Sequence, residues 1–152
     1  MKLIRAGVAD LELLAPMFDA YRQFYSQPSN IDQSRLFLEQ RLNKGESVVF
    51  LAVADAGDRG LGFVQLYPSF SSVSASPTWI LHDLFVVPDQ RRQGVAQALM
   101  EAARSLAAET GADGLSLSTA TDNSGAQSLY ESLGYRRDEK FIYYFLPLDH
   151  PQ

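Results

Sequence analysis

Cysteine is absent from the chain. That excludes disulfide bonds, a thiolate nucleophile and any cysteine-ligated metal centre. Histidine is nearly as scarce, with His82 and His150 alone in 152 residues and far apart, so no structural zinc or other metal is expected. Basic residues are in deficit as well: 13 Lys and Arg stand against 18 Asp and Glu, a net charge of −5. A nucleic-acid partner, which calls for a basic face to neutralise phosphates, is therefore not expected. Nowhere is there an apolar run of ~18 residues, and the opening MKLIRAGVADLELL lacks the basic segment and long apolar stretch of a leader. A soluble, cytoplasmic protein with no membrane partner is the expectation. What the chain does have is 46% hydrophobic residues, enough for one domain over residues 1–152 with a core of its own.

The stretch from Thr78 to Met100, TWILHDLFVVPDQRRQGVAQALM, organises the rest. Trp79 to Val87 is almost continuously aromatic, aliphatic or β-branched, the composition of a buried central strand. Pro88 ends it. Residues 89–96 follow as a mainly polar stretch with Arg91, Arg92 and Gly94, and an apolar stripe at helical spacing runs through Val95, Leu99, Ala102 and Leu106. A strand that enters a helix through a basic, glycine-containing turn aims backbone N–H groups and the positive end of a helix dipole at one point, a natural seat for a phosphate or pyrophosphate. Neither G-x-x-x-x-G-K-[ST] nor G-x-G-x-x-G is present, so the P-loop and dinucleotide fingerprints are excluded.

In chain order, Leu3–Arg5 reads as a short strand. Asp10 is placed to cap a helix that turns Leu11, Leu14, Phe18, Tyr21 and Tyr25 inward, with Pro16 either kinking it or marking its true start. A second helix spans about residues 32–43, with Leu36, Phe37 and Leu42 as its apolar side. Residues 47–54 and 61–67 read as a hairpin around a glycine turn. Residues 68–77 read as a serine-rich loop holding Phe70. After the organising strand and its helix come a strand at 114–120, a helix bracketed by Asn123 as N-cap and Gly134 as C-terminal stop, strands at 135–137 and 141–148, and a tail at 150–152. Helical spacing puts Asn123, Ala126 or Gln127, and Tyr130 on one face. His82 and Asp83 fall on opposite faces of the organising strand if it is regular, and a bulge would change which one faces a substrate.

Two strings in this layout carry a family resemblance. Arg91-Arg92-Gln93-Gly94-Val95-Ala96, after a strand and before a helix, is similar to the acetyl-coenzyme A loop Q/R-x-x-G-x-G/A of GNAT-type N-acetyltransferases. The stretch from Asn123 to Tyr135 resembles that family's N-x-x-A-x-x-L-Y-x-x-x-G-[FY] segment position by position. The element order β-α-α-β-β-β-α-β-α-β-β is also similar to the family's, so the resemblance covers nearly the whole chain. L-H-D-L-F-V at 81–86 looks like the L-E-D-F-F-V stretch of diamine and polyamine acetyltransferases, with His82 in place of the glutamate.

The resemblance implies an α/β fold with a mixed, mainly antiparallel sheet of six to seven strands and helices on both faces. It implies acetyl-CoA as cosubstrate, its pantetheine on the backbone of Phe85, Val86 and Val87. The pyrophosphate would lie among Gln93, Gly94, Val95, Ala96, Gln97 and Ala98, with charge from Arg91 and Arg92 and further contacts from Asn123 and Ala126. Tyr130 matches the general acid for the departing thiolate. The base is left open between His82, Asp83 and a water chain. Tyr21, Tyr25, Tyr67, Phe70 and Trp79 are the acceptor-pocket candidates, able to hold an alkylammonium against aromatic faces. The expected acceptor is a small primary amine. A peptide or protein amine, or a sensor that binds acetyl-CoA without turnover, are the alternatives. A homodimer fits the family, but no interface is legible.

Overall fold

The structure, a computed structural model, describes residues 1–149; the tail at 150–152, His150 included, lies outside them. The described chain forms two compact units, Met1–Ser118 and the residues from Thr119 onward.

The first unit contains a five-stranded sheet in the order β1-β2-β3-β4-β5. Its strands are β1 (Lys2–Arg5), β2 (Val48–Val53), β3 (Gly60–Ser71), β4 (Ser76–Val86) and β5 (Leu115–Ser116). Its helices are α1 (Leu11–Phe24), α2 (Ile31–Asn43) and α3 (Val95–Glu109). The first three pairings are antiparallel, and β4 with β5 is parallel. Adjacent residues of β3 show why helices cover both faces. A Cβ on Gly62 would meet Val95 and Leu99 of α3, whereas the Phe63 ring lies 6.1 Å from Phe18 and 5.9 Å from Tyr21 of α1. On the α1 side Leu11, Leu14, Leu38, Val49, Leu51 and Phe63 are fully buried. Each such side chain contributes roughly 1.5–3 kcal/mol by leaving water.

Several sequence expectations need correction. Asp10 does not cap α1 through its side chain; its Oδ2 accepts from Gly7 N–H at 2.8 Å, and α1 runs through Pro16 after a 3₁₀ turn at Val8–Asp10. Leu36 is 55% exposed, and α2 buries Ser34 and Leu38 instead, one helical turn apart, because Ser34 is drawn in by a buried carboxylate on α1. Residues 68–71 and 76–77 are not loop: β3 and β4 pair on as a two-stranded ribbon from Pro68↔Trp79 to Ser71↔Ser76. Pro68 is tolerated there because β2 pairs with β3 no further than Leu66, so the missing N–H faces an edge without a ladder. The strand expected at 114–120 pairs over Leu115–Ser116 alone.

In the second unit, α4 (Ser124–Ser132) has the expected caps. Asn123 Oδ1 accepts from Ala126 N–H at 3.1 Å. Gly134 takes φ 96°, and Tyr135 N–H returns to the Tyr130 carbonyl at 3.1 Å, a C-terminal closure that a side chain with Cβ resists. Residues 135–137 and 141–148, expected as strands, carry no strand pairing among the described residues. The six to seven strands expected are therefore five: a ladder needs a neighbouring backbone, whatever the side-chain propensity.

Candidate active site

The central feature is a β-bulge in β4. Gln65 pairs with Asp83 and Leu66 with Leu81, so His82 is an extra residue with no partner position on β3. A regular strand would send His82 and Asp83 to opposite faces; the bulge brings them together, with His82 Nδ1 3.1 Å from Asp83 Oδ1. Asp83 is buried and its other oxygen, Oδ2, accepts from the fully buried Gln65 Nε2 at 2.6 Å. The His82 side chain is 60% exposed. A buried carboxylate facing Nδ1 favours the tautomer with hydrogen there, which leaves the Nε2 lone pair for a proton. The hydrogen bond that His82 donates to the Asp83 carboxylate is the main reason its pKa is raised above 6.5, against the opposing effect of burial.

Aromatic groups surround this pair. The Tyr67 ring lies 5.2 Å from the His82 ring, and the Tyr21 hydroxyl stands 3.5 Å from the His82 carbonyl oxygen. The Tyr21 ring also lies 5.1 Å from that of Tyr25, tilted by 58°, and meets Phe63 and Phe85 edge-on. Burial, reinforced by Asp83, pushes the Tyr67 phenol up to about 12 and Tyr21 higher still, so both remain neutral donors. The fold thus brings together Tyr21, Tyr25, Tyr67, His82, Asp83 and Phe85. It does not bring in Phe70, 83% exposed on the ribbon, or Trp79, whose Nε1 donates to Thr110 Oγ1 at 2.9 Å beside the end of α3. Gln65 was missed by sequence reasoning, although a lone amide in the apolar run G-F-V-Q-L-Y is the signal that a buried polar contact gives.

Beyond the bulge, β4 continues to Val86 while β5 pairs only with Trp79 and Ile80. Val87 then leads through a 3₁₀ turn at Pro88–Gln90 into two left-handed residues, Arg92 at φ 63° and Gly94 at φ 84°. A non-glycine residue in that region is held at a cost of about 1–3 kcal/mol and so marks a loop shaped for a purpose. The first bond of α3 runs from Ala98 N–H to the Gly94 carbonyl at 3.1 Å, so the amides of Val95, Ala96 and Gln97 precede the helical ladder. No acidic side chain stands in that first turn, and the space beside Gly94 is open. These features fit a pyrophosphate. Arg91 differs from expectation in being committed in part to the strand, its Nε donating to the Val86 carbonyl at 3.0 Å.

In the second unit the Asn123 side chain is engaged as the α4 cap, Ala126 and Tyr130 are half-buried, and the Tyr130 and Tyr135 rings are 6.1 Å apart. Among the described residues no group of His, Asp and Glu side chains could hold a metal, and no helix is long and apolar enough to cross a membrane.

The first unit thus combines a mixed sheet, a bulge in β4, a β4–β5 ladder of two residue pairs and a glycine turn into α3. The acetyltransferase (GNAT) family model matches residues 14–135, so the chain belongs to that family and is an acetyl-CoA-dependent N-acetyltransferase. It is 42% identical to an uncharacterised N-acetyltransferase, YhfO, of Bacillus subtilis, over 96% of this chain and 97% of that one. A solved structure of a probable acetyltransferase, 48% identical, superposes with a TM-score of 0.93 over 99% of this chain and 100% of its own. An aminoglycoside N(6')-acetyltransferase of Salmonella typhimurium is 26% identical over 70% of this chain and 74% of that one.

Proposed function

We propose that this chain, acting over residues 1–152 as one N-acetyltransferase domain, moves the acetyl group of acetyl-CoA onto a primary amine of a small molecule by direct attack. The Gln65–Asp83–His82 array beside Tyr21, Tyr25 and Tyr67 carries this reading. An alkyl amine is protonated near neutral pH, its pKa being ~10.4, so a base must take the proton before nitrogen can attack. His82 Nε2 takes it, with Asp83 stabilising the resulting imidazolium and Gln65 holding Asp83 in place. The tyrosine rings and the anionic Asp83 favour a cationic acceptor. The aminoglycoside-modifying relative supports a small-molecule amine.

Bound acetyl-CoA supplies the thioester carbonyl at which the C–N bond forms as the C–S bond breaks. Phe85, Val86 and Val87 present strand backbone to its pantetheine, and an N–H near Phe85 stabilises the developing oxyanion. Amides from Gln93 to Gln97 and the charge of Arg92 and Arg91 receive the pyrophosphate, with Ala98, whose own N–H closes the first helical bond, lining the same turn. Asn123 and Ala126 add contacts, and Tyr130 gives its proton to the departing thiolate, roles that the Asn123–Tyr135 motif supports.

The test is thiol release from acetyl-CoA across polyamines, amino acids, aminoglycosides and short peptides, followed with a chromogenic disulfide; the chain contributes no thiol background. Turnover confined to small amines is expected, and Tyr130→Phe should lower kcat with CoA affinity nearly unchanged. Turnover confined to peptides would replace the acceptor class. Binding of acetyl-CoA without turnover of any amine would replace the enzyme with a sensor.

A further inference from the structure

The turn between β4 and α3 carries a charge opposed to the ligand it suits. Between Val87 and Met100 the chain has one acid, Asp89, close before Arg91 and Arg92. Consecutive Cα atoms are ~3.8 Å apart, so the Asp89 backbone lies within roughly 11 Å of Arg92. That is about a Debye length at ordinary ionic strength. A free carboxylate at this range would offset part of the positive charge of the turn and repel a diphosphate.

A distant segment of the chain supplies the counter-charge. Arg59 closes the β2–β3 turn, where its carbonyl accepts from Ala54 N–H at 2.9 Å. The β3–β4 register sets Gly62 opposite Val86, and Val87 N–H carries the pairing one step further by donating to the Leu61 carbonyl at 3.0 Å. The start of β3 is thereby brought against the turn at Pro88–Gln90. There Arg59 Nη2 donates to both oxygens of Asp89, at 2.6 and 2.8 Å. The hydrogen bond from Arg59 is the largest influence on the Asp89 carboxyl and holds its pKa below the usual value. The two side chains are 50% and 62% exposed, and an ion pair in that setting adds little to folding stability. Its place beside the turn gives it another use.

We propose that Arg59 is a positioning residue for cosubstrate binding: by neutralising Asp89 it leaves the charge of Arg91 and Arg92 and the amides from Gln93 to Gln97 undiminished toward the pyrophosphate. In this role Arg59 touches neither the acceptor nor the reacting atoms and acts through Asp89. The assignment rests on the pyrophosphate seat proposed above.

Calorimetry with CoA and steady-state kinetics on the full chain test it. Arg59→Ala should weaken CoA binding and raise the KM for acetyl-CoA about three- to tenfold with kcat nearly unchanged. Arg59→Lys keeps the charge and should stay within about twofold of wild type. Asp89→Asn introduced into Arg59→Ala removes the exposed carboxylate and should bring CoA affinity back to within about twofold of wild type. Raising NaCl from about 0.05 to 0.5 M should narrow the gap between wild type and Arg59→Ala, because the unmasked charge is screened. A pair that merely fastens the turn predicts a loss that salt does not reduce and that Asp89→Asn does not rescue. Either result would overturn the proposal, as would Arg59→Ala binding CoA like wild type. Arg92→Ala separates this inference from the reading beneath it. CoA affinity unchanged in Arg92→Ala would remove the pyrophosphate seat itself, whereas a loss there with none in Arg59→Ala would remove the Arg59 assignment alone.

Discussion

Replacing Asp19 with asparagine keeps the shape of a buried side chain and removes its charge, which isolates what that charge contributes. Asp19 is 3% exposed and accepts four hydrogen bonds: Ser29 Oγ at 2.6 Å, Asn30 N–H at 2.8 Å, Ser34 Oγ at 3.1 Å and Gln23 Nε2 at 3.1 Å. They tie the second half of α1, which carries Tyr21 and Tyr25, to the start of α2. In Asp19→Asn the oxygen facing Asn30 and Ser34 is retained, and an amide turned toward Ser29 and Gln23 loses about two bonds. At ~1 kcal/mol each the variant should be less stable by about 2 kcal/mol, or roughly 4–8 °C in Tm for a domain of this size. The Ser29 hydrogen bond, with the Asn30 and Ser34 bonds, holds the Asp19 carboxyl below its usual range against the opposing effect of burial. A depressed folded pKa means that this stability is fully present above the unfolded value of ~3.9 and is lost as pH falls through the folded value. Urea unfolding followed by circular dichroism from neutral pH down to about pH 3 should therefore show wild type and Asp19→Asn far apart at neutrality and converging in acid. Equal stabilities at neutral pH, or a gap that widens on acidification, would refute the reasoning.

Two further outcomes follow from the site and the strand beneath it. Asp83→Asn removes the group that raises the His82 pKa, so the acid limb of kcat/KM, which reports loss of the deprotonated base, should move to lower pH; a limb that stays in place means that His82 is not the titrating group. Gly62→Ala would set a Cβ 2.6 Å from the Phe85 carbonyl oxygen and within 3.3 Å of Val95 and Leu99, forcing β3 and β4 apart at a cost of about 1–3 kcal/mol; denaturant midpoints equal to wild type would show that the strands yield freely there.

Local rules account for what was legible in the sequence. The central strand, the helix after Gly94 and the helix between Asn123 and Gly134 are each set by residues within a few positions of one another, through apolar periodicity, an N-cap side chain and left-handed glycines. The same strings carried the family resemblance, because a glycine turn into a helix is itself a local device.

What stayed hidden depends on partners distant in the chain. Pro68 and the serines after it looked like loop because nothing local shows that Trp79 and Thr78 pair with them. Ser34 rather than Leu36 faces inward on α2 because a carboxylate fifteen positions earlier receives it. Phe141–Leu148 has the composition of a strand, yet carries no ladder among the described residues. The bulge decides most for function. His82 and Asp83 are adjacent in any reading of the sequence, but whether they touch depends on β3 offering Gln65 and Leu66 to Asp83 and Leu81 and no residue to His82. The sequence by itself determined the glycine turn into α3 and the residue types that stand side by side at 82 and 83. Only cross-strand register, a tertiary property, turned two neighbouring side chains onto one side of the strand and made them a hydrogen-bonded pair.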